Sequence, residues 1–144
     1  MKLSTKGRYG LKALYFIAKQ EEDEPMSVSS LSKLTQITPA YLEKILAILK
    51  KYKLVVSSRG ANGGYFLSRS ASEITIGEIL RALEGKLYLA DCNAGKCENN
   101  CCPNKTIFKF LYDKINEVFD KFGWEHSACG KVFVILFKSG KRLV

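Results

Sequence analysis

Apolar residues recur along the first fifty positions at helical rather than alternating spacing. Leu11, Leu14, Tyr15 and Ala18 share one face of a helix predicted over residues 5–20, and Ser4 or Thr5 can cap its start. A polar run from Glu21 to Pro25 ends it. Val28, Leu31 and Leu34 then mark a short helix over Ser27 to Thr35, and Gln36-Ile37 is a turn. Thr38-Pro39 predicts a sharp helix start, with Thr at the N-cap and Pro at the first helical position. From Pro39 to about Tyr52, Leu42, Ile45, Leu46 and Leu49 form a buried stripe. Two short helices joined by a tight turn form a helix-turn-helix pattern.

The period then changes. Leu54 to Ser58 and Tyr65 to Ser68 are strand-like, and the turn between them, Arg59-Gly60-Ala61-Asn62-Gly63-Gly64, holds three glycines. That is a β-hairpin, and its place directly after a helix-turn-helix makes it a wing. Ile74-Thr75-Ile76-Gly77 leads into a helix carrying Ile79, Leu80 and Leu83 and ending at Gly85. Residues 105–122 form a longer helix on which Ile107, Leu111, Ile115, Val118 and Phe122 recur, widened by Phe108 and Phe119. A helix this apolar packs on a large surface. Val132 to Phe137 is a β-prone apolar run with a basic end. The expected class is mainly α with a small β-hairpin wing: a winged helix-turn-helix over 1–85, a cysteine-rich loop over 86–104, and a long helix with a tail over 105–144.

Charge bears on the partner. The chain has 144 residues and a net charge of +9, from 23 Lys and Arg against 14 Asp and Glu. Within residues 1–70, twelve basic residues stand against five acidic ones, four of those acids in the single run Glu21 to Glu24. The remainder of this half is nearly pure cation, which favours a polyanion. Double-stranded DNA is the expected partner. On the third helix, Thr38, Ala40, Tyr41, Glu43 and Lys44 are the candidate base-reading positions. Free N–H groups at a helix start suit phosphate. Arg59 at the wing tip is the candidate minor-groove probe, and the glycines beside it permit close approach to the backbone. With one His and no nucleophile–base arrangement, no catalysis is expected.

No apolar stretch is long enough for a signal peptide or a membrane span, so a cytoplasmic protein is expected. In a reducing compartment, closely spaced cysteines point to metal rather than disulfides. Cys92-x4-Cys97-x3-Cys101-Cys102 places four thiols within eleven residues. Zinc prefers CxxC pairs, which are absent, and adjacent Cys101 and Cys102 cannot easily ligate one ion together. Free or redox-active thiols are the competing reading. Cys129 stands apart and is read as structural.

Four ordered motifs carry a family resemblance: the opening Lys2-Leu3-Ser4-Thr5-Lys6-Gly7-Arg8-Tyr9-Gly10-Leu11; Tyr41-Leu42-Glu43; Arg59-Gly60-Ala61-Asn62-Gly63-Gly64-Tyr65; and Ile74-Thr75-Ile76-Gly77-Glu78-Ile79 with Leu83-Glu84-Gly85. Over roughly residues 1–122 the chain resembles the IscR-like regulators of the Rrf2 superfamily. The resemblance implies a winged-helix homodimer, paired through the long helix, that binds palindromic promoter DNA as a transcriptional regulator, with repression the expected sign. It implies that Arg59 enters the minor groove with Gly60 beside it at the DNA, that Tyr41, Glu43 and Lys44 lie on the recognition helix, and that Tyr9 meets the backbone. It further implies an iron–sulfur cluster, of the 2Fe-2S type, held by Cys92, Cys97 and Cys102. The family's histidine three residues after the third cysteine is Lys105 here. Cys101, a partner residue or an external thiol is then the fourth ligand, and the sole histidine, His126, lies past the helix. The alternative is a cluster-free thiol-redox or cysteine-metabolism repressor of the same fold.

Overall fold

The computed structural model describes residues 3–20, 24–60, 62–88 and 104–121. The order is α1 (Thr5–Ala18), α2 (Val28–Thr35), α3 (Pro39–Lys51), β1 (Val55–Ser58), β2 (Gly64–Leu67), α4 (Ile76–Glu84) and α5 (Lys105–Lys121). Every helix and both strands predicted within these residues are present. Helix α1 ends two residues before the predicted limit, and α3 ends at Lys51 rather than Tyr52.

Local chemistry starts most of the helices. The Ser4 hydroxyl oxygen accepts from the Gly7 N–H at 3.2 Å, and Ser27 caps α2 in the same way through Ser30. Thr75 and Glu78 form a reciprocal capping box on α4. The start of α3 differs from expectation. Thr38 holds the N-cap position, but its side chain makes no capping bond, and Pro39 alone supplies the pre-set φ of the first turn.

The core lies between α1, α2, α3 and α4. Leu14, Leu31, Leu42, Ile45, Leu46, Leu49, Ile74, Ile79 and Leu83 are fully buried. Each such side chain contributes about 1.5–3 kcal/mol by leaving water. Leu34, expected on the apolar side of α2, is instead 47% exposed.

The hairpin is antiparallel, with Val55 opposite Leu67 and Ser58 opposite Gly64. It is not free-standing. Met26 pairs with Tyr65 through two backbone bonds of 2.9 and 3.0 Å, so the segment before α2 acts as a third strand. A Cβ on Gly64 would collide with the Met26 backbone, so this close approach needs glycine.

Helix α5 lies against α4. The Arg81 guanidinium bonds the Asp120 carboxylate and the Asn116 amide oxygen. Tyr88 stacks on Tyr112, with centroids 6.0 Å apart. None of the described residues of α5 is buried, and Ile107, Phe110, Leu111 and Val118 stand exposed.

Candidate nucleic-acid interface

The turn between α2 and α3 is held by three side chains. Buried Thr35 donates to the Leu31 carbonyl at 2.6 Å and accepts from the Ile37 N–H at 3.3 Å. Ser32 donates to the Ile37 carbonyl at 2.6 Å. Lys12 of α1 donates to the Thr35 carbonyl at 2.7 Å, bringing a cation to the C-terminal end of α2. Gln36 takes the left-handed conformation, φ 59°, that lets the chain reverse. The angle between the two helices is therefore set by bonds that cross the turn.

Because one face of α3 is filled by Leu42, Ile45, Leu46 and Leu49, the opposite face must meet solvent. Thr38, Ala40, Glu43 and Lys44 are all exposed there, followed along the same face by Ala47, Lys50 and Lys51. Tyr41 differs: it was expected among the exposed positions and is half-buried. Its ring packs on the core and meets Tyr9 of α1 edge-on. The two tyrosines are thus brought together at the junction of α1 and α3.

Arg59 is exposed and makes no hydrogen bond or ion pair among the described residues. Gly60 beside it has φ 120°, a conformation that side chains rarely adopt. The link from α3 to the wing is short. Lys53 adopts φ 57°, and the Leu54 N–H returns to the Leu49 carbonyl at 2.9 Å. Lys50 donates to the Ser57 hydroxyl on β1 at 2.6 Å. Neither Lys50 nor Ser57 was singled out from the sequence. Lys50 could have been found by helical spacing from Glu43, whereas Ser57 depends on where the wing folds.

The ion pairs among the described residues share one region. Arg69 pairs with Glu78 at 2.6 Å, Arg81 with Asp120, and Lys114 and Lys121 both with Glu117. These cations all lie beyond the wing. Lys12, Lys44, Lys50, Lys51, Lys53 and Arg59 pair with no carboxylate among the described residues. The surface of α1, α3 and the wing therefore keeps its positive field, as a phosphate-binding face requires. On the other side, burial pushes the Glu78 carboxyl up, but the Thr75 backbone N–H and the Arg69 guanidinium outweigh it and hold the carboxyl below its usual range. Lys121 and Lys114 together pull the exposed Glu117 carboxyl down to about 2.

The cysteines at 92, 97, 101, 102 and 129, His126, and the apolar run 132–137 lie outside the described residues. Among the described residues, no group of three or more His, Cys, Asp or Glu could hold a metal ion, and no helix is long and apolar enough to cross a membrane.

Comparison with known proteins agrees with this geometry. A family profile described as Rrf2, iron-dependent transcriptional regulator, matches residues 3–123. The chain is 42% identical over 128 residues to the regulator CymR of Bacillus subtilis, covering 89% of this chain and 90% of that protein. It is 32% identical over 119 residues to the regulator IscR of Pectobacterium carotovorum, covering 81% and 73%. The structure of B. subtilis CymR, described as the global cysteine regulator, superposes with a TM-score of 0.74 at 33% identity, covering 87% of this chain and 94% of that one. The IscR of T. potens superposes with a TM-score of 0.72 at 29% identity, covering 100% and 94%.

Proposed function

This chain belongs to the Rrf2 family of transcriptional regulators, and from that premise we propose that it binds palindromic promoter DNA as a homodimer and takes its signal at the cysteine segment. The observation that carries the DNA-binding reading is the segregation of charge. Among the described residues Lys12, Lys44, Lys50, Lys51, Lys53 and Arg59, on α1, α3, the link after it and the wing, pair with no carboxylate, and every ion pair, those of Arg69, Arg81, Lys114 and Lys121, lies beyond the wing. In this reading α3 lies in the major groove with Ala40, Glu43 and Lys44 at base edges. Thr38 meets phosphate at the helix start, and the Tyr9–Tyr41 pair sets the angle of approach. Arg59 enters the minor groove, and Gly60 allows its backbone to follow.

The dimer forms through α5. Ile107, Phe110, Leu111 and Val118 lie exposed on this helix, an arrangement that a second copy would bury. A twofold axis there presents two recognition helices to two half-sites.

The donor set of the cysteine segment suits an iron–sulfur cluster: Cys92, Cys97 and Cys102 would supply thiolates, with Cys101 available as a fourth. A bound cluster would supply a charge and a redox state sensitive to iron and oxidants. The protein's part is mechanical. Tyr88, stacked on Tyr112, anchors the chain entering this segment to α5, and Lys105 begins α5 at its other end. Both ends of the segment therefore join the helix assigned to dimerisation.

A second reading has its own support. The 42% identity to CymR of B. subtilis, the global cysteine regulator of that organism, favours a cluster-free thiol or cysteine-metabolism repressor. Anaerobic purification with a visible spectrum and iron and sulfide assays separates the two. A brown protein that bleaches in Cys92→Ala supports the cluster. Colourless, iron-free protein after reconstitution rejects it and leaves the thiol reading.

A further inference from the structure

We infer that Lys50 and Ser57 together form a seat for one phosphodiester of the DNA backbone, between the groove read by α3 and the groove entered by the wing. The inference rests on the DNA-binding reading above and adds a site to it.

The geometry is set by the turn from α3 into β1. Only three residues separate Lys51 from Val55. The turn is closed by the Lys53 N–H on the Lys50 carbonyl at 3.0 Å and by the Leu54 N–H on the Leu49 carbonyl at 2.9 Å. Leu54 and Val55 are buried, which roots the strand in the core. Lys50, in the last turn of α3, and Ser57, on β1, therefore face each other across a rigid corner. The Lys50 ammonium donates to the Ser57 hydroxyl oxygen at 2.6 Å, and both residues are exposed.

That bond leaves donors to spare. An ammonium has three N–H groups, and one is used on Ser57. The hydroxyl accepts from Lys50 and keeps its own O–H to give. Two N–H groups and one O–H thus converge on solvent with no carboxylate paired to the lysine among the described residues. An anion with several acceptor oxygens is the complement of that set. A backbone phosphodiester fits because of position. The seat lies between the exposed face of α3 and the wing turn carrying Arg59, and the strand that separates a major from a minor groove must pass between elements inserted into each. The Ser57 contact holds a flexible side chain in place before binding, which lowers the entropy lost when the phosphate arrives.

The test is a salt titration. Binding of a fluorescent mixed-sequence duplex of about 30 base pairs is followed by anisotropy from low to moderate KCl, for the wild type, Lys50→Ala, Lys50→Arg, Ser57→Ala and Lys109→Ala. Lys109, exposed on α5, controls for loss of a charge anywhere. Loss of one phosphate contact makes the log–log salt slope shallower by about 0.9. Lys50→Ala should do this and weaken low-salt binding about 10-fold. Lys50→Arg should restore the slope. Ser57→Ala should keep the slope and weaken binding by a few-fold, because it removes one neutral hydrogen bond and the positioning of the lysine. Circular dichroism melts confirm that each variant folds. Wild-type slope and affinity in folded Lys50→Ala overturn the seat, as does an equal effect from Lys109→Ala. A wild type that binds no duplex at any salt overturns the DNA-binding reading itself, and the seat with it.

Discussion

Tyr9 and Tyr41 meet edge to face, with ring centroids 5.9 Å apart and planes 85° from parallel. One ring belongs to α1 and the other to the first turn of α3, so this contact links the scaffold to the reading element. Edge-to-face pairs contribute about 0.5–1.5 kcal/mol beyond the area they bury. Tyr9→Ala should lower stability by at least about 1 kcal/mol in urea unfolding. Tyr9→Phe keeps the ring and should unfold within about 0.5 kcal/mol of the wild type. If Tyr9→Phe nevertheless weakens DNA binding, the hydroxyl contacts DNA; if both variants bind as the wild type does, the pair is purely structural.

The wing depends on one glycine at the turn end of its second strand. Gly64 faces the Met26 backbone so closely that a Cβ would meet its carbonyl carbon and oxygen. Backbone on both sides cannot step aside as a side chain can. Gly64→Ala should cost about 1–3 kcal/mol and disturb the two Met26–Tyr65 bonds. Amide hydrogen exchange at Met26 and Tyr65 would show it, as faster exchange than in the wild type. Unchanged protection at both amides would contradict the account.

Self-association should be sensitive to the exposed face of α5. Leu111 is 44% exposed, so a charge there is tolerated by the isolated fold but not within an apolar interface. Leu111→Asp should weaken the dimer at least about 100-fold, roughly 3 kcal/mol, and convert it to monomer at micromolar concentration. Light scattering coupled to gel filtration reads this directly. A dimer of undiminished stability would move the interface elsewhere.

The Glu78 carboxylate predicts an acid-dependent component of stability. Its folded-state pKa is lowered, against the effect of burial, by the Thr75 N–H and by Arg69. A lowered carboxyl pKa stabilises the fold above the unfolded value near 4.3, and that contribution disappears as pH falls through the folded value. Glu78→Gln should therefore be less stable than the wild type at pH 7, by about 1 kcal/mol for a part-exposed cap and ion pair. The gap should close as the pH drops below about 4. Thermal melts across pH 3–7 check the sign, and a gap that widens in acid would reverse it.

Much of this molecule is legible from local pattern. The stripe Leu42, Ile45, Leu46 and Leu49 predicts both the helix and its buried face, because a period of 3.6 leaves one solution for an apolar stripe. Thr75 and Glu78 announce the start of α4 three residues apart. The glycines between two β-prone runs predict the hairpin. Thr38 shows the limit of such reading. It occupies the N-cap, yet its hydroxyl makes no capping bond, since residue preference reports a frequent partner and not the rotamer chosen in one site.

By itself the sequence determined the order of the elements, their inward faces, the basic character of the first half and the concentration of thiols between residues 92 and 102. Each of these follows from the spacing or composition of neighbours along the chain. Only the tertiary structure decided that Leu34 faces solvent, that Met26 extends the wing, that Arg81 reaches Asp120, and that Lys50 meets Ser57. These relations join residues whose separation carries no periodic signal. They arise when buried faces pack and bring surface groups together, so their geometry belongs to the fold as a whole.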